Sequence, residues 1–127
     1  MSEAKIAKLL DLVKQRETVD KDLMKFLEVA FSSNPDKIVE ALDRGITKYV
    51  YKPSNKVLWT AMGREKEYIL YPKEFCSCLD FYKEVVINGN RSYCKHLLAQ
   101  IISKGLLSYQ TVELDDYEFK IRLEEMY

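Results

Sequence analysis

Apolar residues recur with helical spacing through the first 45 positions of the chain, and the period changes after Gly45. Ile6, Leu9, Leu10 and Val13, separated by lysines, predict a helix over 4–16. Leu23, Phe26, Leu27, Ala30 and Phe31 line one face of a second, which Asp20 can cap. In SSNPDKIVEALDRG, Ser33 or Asn34 can cap a further helix, Pro35 suits its first turn, and Gly45 suits the position after its end. Ile38, Ala41 and Leu42 supply its buried stripe. The N-terminal part, 1–45, is thus expected to be two or three amphipathic helices. Met24 and Phe31 are read as core.

ITKYVY at 46–51, VLWTAM at 57–62 and EYILY at 67–71 are rich in β-branched and aromatic residues. KPSN and GREK lie between them as turn signals, and Pro72 ends the series. These runs predict a three-stranded antiparallel meander with Trp59 in its core. CKHLLAQIISKGLL at 94–107 is helical, with Leu97, Leu98, Ile101 and Ile102 as its stripe and Gly105 as a stop. Residues 117–123, YEFKIRL, fit both strand alternation and a helical face. Thr111 and Asp115 as possible caps incline the short C-terminal element to helix. The intervening FYKEVVI is read as either a short strand or a short helix, followed by a turn at NGN.

Length and composition add a frame. At 127 residues, with 47% hydrophobic and 31% charged positions, the chain suits one globular domain, 1–127. No apolar run approaches the roughly 18 residues of a membrane helix, and MSEAKIAKLLDLVKQRE lacks the continuous apolar core of a secretory signal. An intracellular location is expected, cytoplasmic in a prokaryote or nuclear in a eukaryote, where clustered cysteines bind metal more often than they form disulfides. Net charge is zero but unevenly spread. Residues 44–105 carry 11 Lys/Arg against 5 Asp/Glu, and residues 106–127 carry 2 against 6.

The basic segment contains all three cysteines and the single histidine, in FCSCLDFYKEVVINGNRSYCKHLLAQ. The pattern is Cys-x-Cys, then Cys-x-His: Cys76, Cys78, Cys94 and His96. Three thiolates and an imidazole complete a tetrahedral set for Zn²⁺, and soft sulfur donors disfavour magnesium or calcium. Cys76 and Cys78, two apart in an extended segment, point to one side. Cys94 should lie at or before a helix cap, with His96 in the first turn. The helix N-terminus, aided by Lys95 and Arg91, would then stabilise the net negative charge of a Zn–thiolate centre. The other nitrogen of His96 should donate to a backbone carbonyl or a carboxylate, with Asp80 and Glu84 as candidates. The competing reading is that the cysteines are small buried hydrophobes. With all four positions filled by protein, one structural Zn²⁺ is expected rather than a catalytic one. A Cys94–His96 dyad would leave Cys76 and Cys78 unexplained, and no phosphate-cradling glycine loop, HExxH or paired carboxylate stands out. No catalytic residue is assigned, and the chain is read as a non-enzyme.

Cys76-Ser77-Cys78 with Phe75 before it, and Cys94-Lys95-His96-Leu97-Leu98-Ala99, resemble the SWIM zinc-binding domain, a CxC…CxH site preceded by short strands and followed by a helix. The resemblance covers roughly residues 46–107, a SWIM-like ββ(β)α unit, with 108–127 as an acidic tail or helix. It implies an α+β fold. By its layout the chain is also similar to the small stand-alone SWIM proteins, the SWIM subunit of Shu-type recombination complexes and its archaeal relatives. That similarity implies a hetero-oligomer with a RecA-family recombinase paralogue, acting in homologous recombination and DNA repair, with no membrane association. The alternative is direct binding of single-stranded DNA by the basic segment. Lys52, Lys56, Arg64, Lys83, Arg91 and Lys95 would hold phosphates beside tyrosines that stack bases.

Overall fold

The computed structural model describes residues 2–126, and the side chains of 3–125. Three helices come first: α1 (Ser2–Lys14), α2 (Lys21–Phe31) and α3 (Pro35–Arg44). The Asp20 carboxylate accepts from Leu23 N–H at 2.9 Å at the start of α2, and Asn34 Oδ1 accepts from Asp36 N–H at 3.0 Å at the start of α3. Each cap satisfies an amide that the helix leaves unpaired. Pro35 occupies the first turn and Gly45, at φ +116°, follows the last residue of α3.

The expected meander forms as β1 (Ile46–Lys52), β2 (Lys56–Met62) and β3 (Glu67–Tyr71), each pair antiparallel. It lies within a larger mixed sheet. A two-residue strand β4 (Phe75–Cys76) pairs with β3, and β5 (Gln110–Asp115) runs parallel to β1, giving the order β4-β3-β2-β1-β5. The fold is α+β. β5 corrects the reading of 108–127 as tail or helix alone. A helix, α5 (Asp116–Met126), does form, but a strand precedes it, so Thr111 lies within β5 and Asp115 ends it. Only Val112 and Leu114 of β5 are half-buried apolar residues, so its alternation is faint. Its partner β1 lies some 60 residues earlier, a pairing no local pattern reveals.

Both faces of the sheet are covered. On one, Ile46, Trp59, Ala61 and Leu70 pack with α1, α2, α3 and α4 (Lys95–Leu106). Helix α4 is the centre of this core: every residue from His96 to Ser103 is buried. Phe31 and Trp59 are buried as expected, whereas Met24 is half-buried. On the other face, Tyr49, Tyr51, Leu58 and Ile69 are covered by Phe119 and Leu123 of α5. Glu67 fastens this layer. It accepts from Tyr49 Oη at 2.9 Å and Thr60 Oγ1 at 2.8 Å, and pairs with Arg122 of α5 at 3.3 Å. Ser54, in the β1–β2 turn, donates from its N–H and hydroxyl to the Asp116 carboxylate at the β5–α5 junction.

Gly105 does not end α4, as its residue type suggests; the helix runs one residue further and closes on Leu107 in the left-handed conformation. Its role is close approach, because a Cβ there would lie 2.5 Å from Val13 Cγ1, a β-branched and fully buried side chain of α1. Gly105→Ala therefore pits a helix-propensity gain of up to about 1 kcal/mol against an overpacking loss of about 1–3 kcal/mol. Urea unfolding should show net destabilisation, and the cost of Gly105→Ala should disappear when it is measured in a Val13→Ala background. A single variant as stable as wild type would contradict this contact.

Tyr51 is fully buried beside Phe119, ring centroids 4.9 Å apart, and its hydroxyl has no hydrogen-bond partner among the described residues. Tyr51→Phe should be neutral or stabilise by up to about 1 kcal/mol in the same assay. A loss of more than about 1 kcal/mol would show that the hydroxyl is satisfied, for instance by water.

Candidate metal centre

β4 and α4 bring the two ligand pairs together. Cys76 ends β4, where pairing with Leu70 holds it against β3. Ser77 fixes the next step: its N–H donates to Ile69 O and its Oγ accepts from Ile69 N–H. Ser77 thus continues the strand's backbone contacts and leaves Cys76 and Cys78 on the same side. Cys94 is the extended residue before α4, at φ −84° and ψ 170°, and His96 stands in the first turn. Both placements match expectation.

The four donor atoms, all from buried residues, lie within 4.8 Å of one another. His96 Nδ1 is 3.7 Å from Cys76 Sγ. A tetrahedral Zn²⁺ with bonds of 2.3 Å to sulfur and 2.0–2.1 Å to nitrogen has an S···N edge of about 3.6 Å. The donor set and its spacing are compatible with zinc. The cysteines are free thiols, not disulfides.

The electrostatics of the pocket are those of three thiols competing for protons in a dry space. Cys78 is held far below the ordinary thiol range, chiefly because Cys76 and then Cys94 donate hydrogen bonds to it; Phe81 N–H adds another at 3.3 Å. Cys76 is driven far upward by donating to Cys78 and Cys94 and by burial. Cys94 ends at about 12: the Cys76 bond lowers it, but the Cys78 bond and burial together raise it more. Without metal, one thiolate carries the charge and two sulfurs keep their protons. A dication removes this conflict by taking the place of both protons.

Two supports of the site go beyond the sequence reading. The Tyr68 ring packs on the His96 imidazole, with centroids 5.0 Å apart and planes tilted by 37°. The segment 81–87 is neither a strand nor an ordinary helix but a π-helix, Phe81–Ile87, in which Asn88 N–H donates to Lys83 O five residues back. Phe81 anchors it by burial. The signal for the Phe81 amide was its place three residues after Cys78, within reach of the sulfur.

Asp80 and Glu84, the sequence candidates to orient His96, are engaged elsewhere. Asp80 takes a two-pronged bond from Arg91 at 3.3 Å on each arm, and Glu84 accepts from Asn88 and Asn90. Arg91 therefore neutralises a carboxylate rather than the thiolates. The six cations proposed for phosphates do not form one surface. Lys52 and Lys56 flank the β1–β2 turn, with Lys56 over the Phe119 ring, at the opposite end of the meander from Arg64. Arg64 and Lys95 share a groove with His96, and Lys83 is exposed on the π-helix.

Among the described residues, no helix is long and apolar enough to cross a membrane. No protein-family model matches the chain, and no solved structure matches it. Three curated proteins are similar along most of its length. The zinc finger SWIM domain-containing protein 7 homolog of Dictyostelium discoideum is 29% identical over 125 residues, covering 91% of this chain and 80% of that protein. Zinc finger SWIM domain-containing protein 7 of Mus musculus is 26% identical, over 94% of this chain and 80% of its own length. The Homo sapiens protein of the same name is 23% identical, over 87% and 81%. Similarity along nearly the whole chain and the buried Cys76–Cys78–Cys94–His96 cluster together support a SWIM-type zinc-domain protein.

Proposed function

We propose that this protein is a non-enzymatic adaptor. In this reading one Zn²⁺, held by Cys76, Cys78, Cys94 and His96, ties β4 to the start of α4, and the chain pairs with a RecA-family recombinase paralogue in recombinational DNA repair. The observation that supports the non-catalytic part is the donor set: four buried protein donors within 4.8 Å of one another would complete a tetrahedral Zn²⁺ without a reacting water. Support for the partner is the resemblance to stand-alone SWIM subunits of recombination complexes. The experiment is purification of the tagged chain from its native host. A RecA-family paralogue at near-stoichiometric yield supports the reading, and its absence from repeated purifications rejects it.

Direct binding of single-stranded DNA is the weaker reading. Its candidate cations are split between two ends of the sheet, and Arg91 is paired with Asp80. Phosphate contacts would make affinity fall steeply with salt, so absence of binding to an oligonucleotide at about 50 mM salt would remove it for the isolated chain.

A further inference from the structure

Beside the Cys/His cluster lies a groove of about 560 Å³, lined by Tyr68, Phe75, Phe81, Cys76 and Cys78. The π-helix forms its outer lip. Phe81 is buried and Val85 packs on the core, so the wide turns of this segment put Tyr82, Val86 and Ile87 on the outside. With Leu79 these four are 56–63% exposed. Isolated exposed apolar residues are ordinary, but a set lining a concavity together, as Leu79, Tyr82 and Val86 do here, marks a binding surface. π-helical turns are themselves rare and concentrate at functional sites.

Charge around the groove is one-sided. It adjoins a second depression, sharing Tyr68, Cys78 and Leu79 with it. Lys66 borders the first, and Lys37, Arg64 and Lys95 border the second. None of these four forms an ion pair among the described residues. The carboxylates in the same depression are already answered, Glu40 by Arg44 at 2.8 Å and Asp80 by Arg91. The surface therefore offers apolar pockets with uncompensated positive charge on one side.

We propose that this groove receives an amphipathic helix of a partner protein, with its apolar residues against Leu79, Tyr82 and Val86 and acidic residues toward Lys66, Arg64 and Lys95. Aliphatic Leu79 and Val86 in the groove lining suit apolar side chains better than stacked bases, which favours peptide over nucleic acid. Because Cys76 and Cys78 line the groove, a metal held by them would shape the surface that docks. The inference deepens the adaptor reading above and does not require the partner to be a RecA-family paralogue.

The test pans a displayed library of random peptides on the zinc-loaded full chain, with counter-selection on a Leu79→Asp/Val86→Asp variant. Both positions are exposed, and zinc content and melting temperature verify that the variant is folded. The expected winners carry apolar residues at helical spacing with Asp or Glu beside them. Their affinity should drop at least about tenfold in that variant, and likewise in an Arg64→Glu/Lys66→Glu variant. Three results would overturn the proposal. Selected peptides bind both variants undiminished or carry basic flanks. No peptide prefers wild type, while oligo-dT binds it and loses binding in the variant. Or wild type sediments as a dimer that Val86→Asp dissolves, making a second copy the occupant. Failure of a RecA-family paralogue to co-purify bears on the adaptor's partner alone and leaves these outcomes unchanged.

Discussion

Cys78→Ser or His96→Ala should lose zinc and lower the melting temperature by at least about 10 °C. The size follows from what the metal joins. β4 is only two residues long, held by its pairing with β3, and the chain then makes a long excursion through the π-helix before Cys94. Metal bonds from β4 to α4 would fasten both ends of that excursion to the buried central helix. Structural zinc sites contribute about 10–16 kcal/mol of apparent binding energy, and here binding energy is folding energy. Loss of even about 3 kcal/mol shifts the melting point by about 10 °C in a domain of this size. Removing one ligand also leaves three others buried around an incomplete centre. The measurement is calorimetry beside zinc content by mass spectrometry, with chelator-treated wild type as control. Unchanged melting in a zinc-free variant would show that the metal does not hold this fold.

Zinc affinity should rise about 100-fold per pH unit between pH 7 and 8. The sign follows from proton counting. Cys76 and Cys94 are raised above the ordinary thiol range and hold protons in the metal-free pocket, whereas Cys78 is lowered and holds none. All three must be thiolates when bound, so binding releases two protons and affinity increases with pH. If the metal-free protein unfolds instead, all three thiols start protonated near their ordinary value of about 8.5, and the rise approaches 1000-fold per unit. Competition titrations with a chelator of known pH dependence give the slope. A slope of two identifies a preformed pocket, a slope of three identifies folding driven by metal, and a flat profile contradicts the thiolate centre.

The helices and the meander were readable because their signals are local. Asp20 and Asn34 cap where their side chains reach amides two or three residues on, and the apolar stripes of α1 to α4 depend on spacing alone. The metal pairs were readable for the same reason, since two-residue spacing in a strand and at a helix cap fixes where adjacent ligands point. β5 was not, because its stabilisation comes from parallel bonds to β1 and from cover that α5 gives to the far face of the sheet. Gly105 was misread as a stop because glycine ends helices more often than it lets one helix approach another, and only Val13 shows which applies. Asp80 and Glu84 could not be decided for a similar reason: proximity in sequence to His96 said nothing about Arg91, Asn88 and Asn90, which engage them.

By itself, then, the sequence determined the first three helices, the meander and α4, that four soft donors sit in two close-spaced pairs, and that those pairs suit a closed metal site. These are consequences of side-chain chemistry and short-range geometry. The tertiary structure alone decided that the sheet closes with a parallel edge strand, and that thiol protons are shared unevenly once burial brings the sulfurs together. It also decided that a π-helix turns apolar residues outward beside an unpaired basic rim. Each of these depends on groups distant in sequence meeting in a space from which water is excluded or where it is only partly admitted, and no residue pattern encodes that meeting locally.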